Sequence, residues 1–139
     1  MELDIVVFAA HPDDAELAMG GSIAEFTKAG LKVGVIDFSR GELGTRGNAE
    51  ARKKEADESS KILGLTLRDN LGLPDGKIRA TDEQIAKAVA EIRKFKPKII
   101  FAPYHNDRHP DHAGASSIAK EAMFFSGVEK FQSYEGENG

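Results

Sequence analysis

The residues that could do chemistry in this sequence are its four histidines and the carboxylates beside them. His11 opens a turn, His11-Pro12-Asp13-Asp14, directly after an apolar run; His105, His109 and His112 follow another apolar run, with acids among them. There is no cysteine, which excludes thiolate chemistry, disulfides and Cys-type zinc sites and leaves His, Asp and Glu as candidate ligands. A mixed imidazole and carboxylate set suits Zn²⁺, Fe²⁺ or another divalent transition metal, with zinc–ligand distances of ~2.0–2.2 Å. Two histidines and one aspartate would leave positions open for water and substrate, as a catalytic site requires. Pro12 and Pro110 fix φ in the two turns and so stiffen them. Adjacent Asp13 and Asp14 point in different directions, so one can bind a metal while the other faces the attacking water as general base. A histidine beside the open position, such as His109, could give a proton to a leaving group or stabilise an oxyanion.

Such residues must be brought together by the elements that carry them. Four apolar strand-like runs alternate with helical patterns, the sequence form of βαβ units and a parallel sheet. The first strand is expected over Asp4–Ala10, nearly continuous in apolar residues as in a strand covered on both faces. A helix then carries Ala15, Met19, Ile23 and Phe26 on one face and stops at Gly30. Lys32–Phe38 reads as the second strand, and the glycine-rich Ser39–Asn48 as a loop before a helix ended by Gly64. Thr66–Leu71 is a short third strand. Thr81-Asp82-Glu83-Gln84 has capping-box spacing before the helical face Ile85, Ala88, Val89, Ile92, which Pro97 closes. Lys98–Ala102 is the fourth strand, and Asp111 can cap a last helix reaching about Ser126. Ligand sites of open α/β sheets form beyond the C-terminal strand ends, where strand order reverses. With the order 3-2-1-4, His11 and the His109/His112 segment converge on one crevice.

These residues carry a resemblance. His11-Pro12-Asp13-Asp14-Ala15-Glu16 with Gly20-Gly21, and Asp107-Arg108-His109-Pro110-Asp111-His112, resemble the LmbE-like (PIG-L) deacetylase family. Ser39-Arg40-Gly41-Glu42-Leu43-Gly44-Thr45-Arg46-Gly47 and Asn70-Leu71-Gly72-Leu73-Pro74-Asp75-Gly76 are similar to its bacillithiol-biosynthesis branch, which deacetylates N-acetylglucosaminyl-malate. The resemblance runs from about residue 4 to 131. It implies a Rossmann-like α/β three-layer sandwich and hydrolytic removal of an N-acetyl group from an amino-sugar conjugate. It makes His11, Asp14 and His112 the metal ligands, Asp13 the general base, and His109 the acid or oxyanion stabiliser, oriented by the carboxylate of Asp111. Arg52 matches the family arginine on the substrate side; Arg46 and Arg108, with Arg40, are further candidates for holding a malate carboxylate. The resemblance also implies a homo-oligomer, and further C-terminal strands that the present residues are expected to lack.

The remaining composition narrows the class. The 139 residues fit a single domain, 40% hydrophobic and 30% charged. A net charge of −4 gives no basic field for nucleic acid, and pairs such as Lys53-Lys54 read as a solvated helix face. No apolar run approaches bilayer length and the start lacks a secretory pattern, so a cytoplasmic home without membrane partners is expected. Glu16 favours the helix dipole. Gly20-Gly21 stands outside any G-x-G-x-x-G pattern and suggests close helix packing. Two other functions fit the same residues: deacetylation of another N-acylated glycan or antibiotic precursor, and a non-catalytic Rossmann-type module binding metal or nucleotide.

Overall fold

The computed structural model describes residues 1–44 and 48–133. Four strands, β1 (Ile5–Ala9), β2 (Val33–Asp37), β3 (Leu67–Asn70) and β4 (Ile99–Phe101), alternate with four helices. The helices are α1 (Asp14–Lys28), α2 (Ala49–Leu63), α3 (Asp82–Phe95) and α4 (Pro110–Phe125). All strand pairs are parallel, in the order β3-β2-β1-β4. The chain reverses direction across the sheet at β1, which puts the switch point between β1 and β4.

β1 is buried along its whole length because both of its faces are covered. Val6 and Phe8 join the core made with α3 and α4, through Ile85, Val89, Ile118 and Ala122. Ile5, Val7 and Ala9 join the opposite core with Ala15 and Ile23 of α1, with Met19, Phe26 and Leu63 packed against it. The period-2 alternation of β1 thus builds two hydrophobic layers, one on each side of the sheet. Beyond the helix ends, Gly30 (φ 89) and Gly64 (φ 73) turn the chain out of α1 and α2 in the left-handed conformation.

Three local expectations are corrected. Gly20 and Gly21 do not serve close packing, since a Cβ on either would meet nothing within 4 Å; they follow a kink at Met19 (φ −144, ψ 21). Asp111 does not cap α4: His109 is the cap residue, and its Nδ1 accepts the Asp111 N–H at 3.1 Å. Thr81 caps α3, but Gln84 turns its side chain to Arg79 N and Lys77 O instead of completing the reciprocal box. Among the described residues no helix is long and apolar enough to cross a membrane.

Candidate metal centre

The loops after β1, β2, β3 and β4 meet over the β1/β4 switch point. His11 leaves β1 and stands at the centre of this meeting. Asp13 follows with φ 75 and ψ −12, a left-handed backbone that Asp and Asn tolerate better than most residues. That twist lets the next residue start α1 while Asp13 itself makes no side-chain capping bond. On the other side, Asp107 Oδ1 accepts the His109 N–H at 2.8 Å and sets up the entry into α4.

His11, Asp14 and His112 offer one ligand atom each within 4.8 Å of one another. His11 Nδ1 lies 3.3 Å from Asp14 Oδ2, and His112 Nε2 lies 3.0 Å from the same oxygen. The second nitrogen of each imidazole faces a carboxylate: His11 Nε2 is 2.8 Å from Asp111 Oδ2, and His112 Nδ1 is 3.2 Å from Asp107 Oδ2. Metal-binding histidines characteristically give their other ring N–H to such partners, which fixes tautomer and ring orientation. Two imidazoles so held, with a carboxylate between them, are a donor set that fits a divalent transition metal. The ring of His109 completes the cluster, 4.9 Å from His11 and 5.0 Å from His112 between centroids.

The electrostatics agree with a cation site. The hydrogen bond to Asp14 lifts the His11 pKa to about 9, against the opposing effect of burial, with Asp111 and Asp75 adding to the rise. Burial works to raise Asp14, but its bond to His11 and the charge of His112 outweigh that and hold it below the usual carboxylate range. Asp13 moves the other way: burial, then the charges of Asp14 and Glu16, push it up. A proton acceptor shifted upward beside a neighbour shifted downward is the division that acid–base catalysis needs.

The expected orienting contact between Asp111 and His109 takes a different form. The Asp111 carboxylate, fully buried, reaches His11 instead, and accepts Gly76 N–H at 2.8 Å and Ile78 N–H at 3.1 Å. His109 receives only the backbone N–H of Asp111. The reason is packing: Gly114 brings α4 against the Ile78 backbone so closely that a Cβ there would overlap the Ile78 oxygen. Asp111 is thereby pressed onto the loop after β3. That loop also supplies Asp75, which the sequence shows only inside a motif and whose Oδ1 lies 3.1 Å from His11 Nε2. Asp107 was likewise seen only as part of a motif. Arg52 lines a crevice of about 350 Å³ with His11, Asp13, Asp14 and His109. Arg40 does not line that crevice; with Arg52 it borders a lateral cavity beside Asp37 and Asn70. Arg108 and His105 are exposed, and Arg46 lies outside the described residues.

Beneath the crevice sits a buried ion network that the sequence did not disclose. Arg68 of β3 binds Asp37 at the end of β2 through Nε (2.9 Å) and Nη2 (3.1 Å). It also binds Glu16 in the first turn of α1 through Nη1 (2.7 Å) and Nη2 (3.1 Å). Burial pushes Asp37 up to about 6 even though Arg68 pulls it down. For Glu16 the opposing burial effect loses to Arg68 and the pKa falls.

The sequence profile of PIG-L, GlcNAc-PI de-N-acetylase, matches residues 6–123. The chain belongs to the PIG-L family. A diacetylchitobiose deacetylase of Thermococcus kodakarensis is 30% identical over 137 residues, covering 91% of this chain and 51% of its own length. A probable N-acetyl-α-D-glucosaminyl L-malate deacetylase 2 of Bacillus cereus is 31% identical over 126 residues, covering 81% of this chain and 57% of its own. The crystal structure of a conserved protein from Thermus thermophilus superposes with a TM-score of 0.92 at 43% identity, covering 98% of this chain and 62% of that one. This PIG-L chain therefore spans a little over half the length of the curated relatives it matches.

Proposed function

We propose that this PIG-L protein is a metal-dependent N-deacetylase acting on an amino-sugar conjugate, with N-acetylglucosaminyl-malate as substrate. The observation that carries the reading is the His11–Asp14–His112 donor set beside Asp13, whose side chain makes no capping bond, and the ring of His109. The relative named as a malate-conjugate deacetylase supports the substrate, as does an arginine, Arg52, in a crevice otherwise rich in carboxylates.

His11, Asp14 and His112 would hold the metal, Zn²⁺ or another divalent transition ion. When bound it supplies Lewis acidity to the acetamide carbonyl and to the attacking water. Asp13 takes a proton from that water as its oxygen bonds to the carbonyl carbon. His109 accepts the Asp111 N–H on Nδ1, so its proton sits on Nε2 and serves as a hydrogen-bond donor to the developing oxyanion. Asp13 then returns the proton to the nitrogen as the C–N bond breaks, and acetic acid and the free amine separate, the acid losing its proton to solvent as acetate. Asp111 and Asp107 hold His11 and His112 in orientation, and Arg52 pairs with an anionic substituent of the substrate.

The test is acetate release, followed by NMR, from N-acetylglucosaminyl-malate and from N-acetylglucosamine by zinc-loaded protein. Release from the conjugate with a clear preference over the plain sugar is expected. Release from neither, with metal bound, would refute the activity; equal rates would refute the substrate.

A further inference from the structure

The glycine turn after β2 and the start of α2 meet at one side chain. Arg52 lines the crevice with His11 and Asp13, and also the neighbouring cavity with Pro12, Glu16 and Ser59. Its guanidinium lies on the turn Gly41–Gly44, which is closed by the Gly44 N–H donating to the Gly41 oxygen at 3.0 Å. A Cβ on Gly41 would stand 2.7 Å from Arg52 Nη1, and one on Gly44 would overlap Nη2 and crowd Cζ.

The two glycines are not equivalent. Gly41 has φ 67, so any side chain there is strained whatever the space. Gly44 lies outside that region, and the three nearest atoms its methyl would meet all belong to the Arg52 guanidinium. The turn cannot readily move away from such a methyl. Leu43 N–H donates to Asp75 Oδ2 at 2.8 Å and Asp75 N–H donates to Glu42 Oε2 at 3.0 Å, a reciprocal clasp onto the loop after β3. The far end of a long side chain must yield before a clasped backbone does.

We propose that Gly44 is a positioning residue: its missing side chain sets where the Arg52 charge stands over the crevice, and so sets the preference for acylated sugars that carry a carboxylate. This rests on the deacetylase reading above. Bidentate pairing of a guanidinium with a carboxylate demands fixed geometry, and displacement by about 1 Å is enough to lose a preorganised contact.

The experiment compares wild type, Gly44→Ala, Arg52→Ala and the double variant. Four readouts are taken: kcat and KM on N-acetylglucosaminyl-malate and on N-acetylglucosamine, melting temperature, and the Arg52 Nε–H resonance in ¹⁵N-labelled protein. In Gly44→Ala the selectivity for the conjugate should fall about tenfold, through KM and not kcat. The melting temperature should hold, the Arg52 resonance should shift, and adding Gly44→Ala to Arg52→Ala should change nothing further. An equal loss on both sugars, a further loss in the Arg52→Ala background, or an unmoved resonance would overturn the proposal. If wild type hydrolyses neither sugar, the deacetylase reading fails by itself, and the resonance still decides whether Gly44 places Arg52.

Discussion

Replacing Arg68 by Met should expose how the first turn of α1 is held. The arginine side chain is 8% exposed and makes four hydrogen bonds, two to Asp37 (4% exposed) and two to Glu16 (20% exposed). Methionine keeps much of the volume but leaves two carboxylates facing each other without a cation. Removing one partner of a buried ionic network costs about 3–5 kcal/mol. For a domain of this size that lowers the melting temperature by roughly 10–20 °C. The cost must depend on pH. Asp37 is raised to about 6 in the folded protein, so its contribution to stability is fully present below the ordinary carboxylate pKa and is lost as pH rises from there through about 6. Without Arg68 the folded pKa climbs further and the loss extends to higher pH. Thermal melts at about pH 5 and pH 8 should therefore show the larger deficit at pH 8, and adding Asp37→Asn should recover part of it. A melting temperature within about 3 °C of wild type at both pH values would refute this account of the network.

Other predictions follow from the same geometry. His112→Ala should lose bound metal while staying folded, as measured by metal analysis and circular dichroism; undiminished metal would remove His112 from the ligand set. Asp13→Asn should keep metal stoichiometry and lose turnover by roughly 10²–10⁴-fold, read by acetate release. Gly114→Ala should destabilise by about 1–3 kcal/mol in denaturant titration, because a methyl there meets the Ile78 carbonyl backbone, not a movable side chain.

The alternation of strands and helices was legible because it is local: apolar runs and helical faces are written at periods of 2 and 3.6. The histidines were legible because their turns follow strand ends, and strand ends are where such a sheet gathers its ligands. Arg68 was not. It sits in a four-residue strand with a weak signal, and its meaning depends on its register opposite Val35 of β2, two residues from Asp37, and on the approach of α1. The partner of Asp111 was equally hidden. The family resemblance implies a local role beside His109, whereas contact with His11, 100 residues away in sequence, is decided by how tightly Gly114 lets α4 approach the loop after β3. Asp75 is held instead by the clasp with Glu42 and Leu43 across from the turn after β2.

The left-handed backbone of Asp13 narrows which residues evolution or an experimenter can place there. Alanine, serine or glutamate would each have to bear a conformation that costs them of order 1 kcal/mol or more before any chemistry is considered. Glycine, asparagine and aspartate bear it easily, and of these only aspartate carries a group that can take a proton. The main chain has in effect filtered the alphabet at this position before the proposed chemistry selects from it. An alanine scan there would report strain and chemistry as a single number. Asparagine, with the same shape and the same tolerance for the turn, separates them.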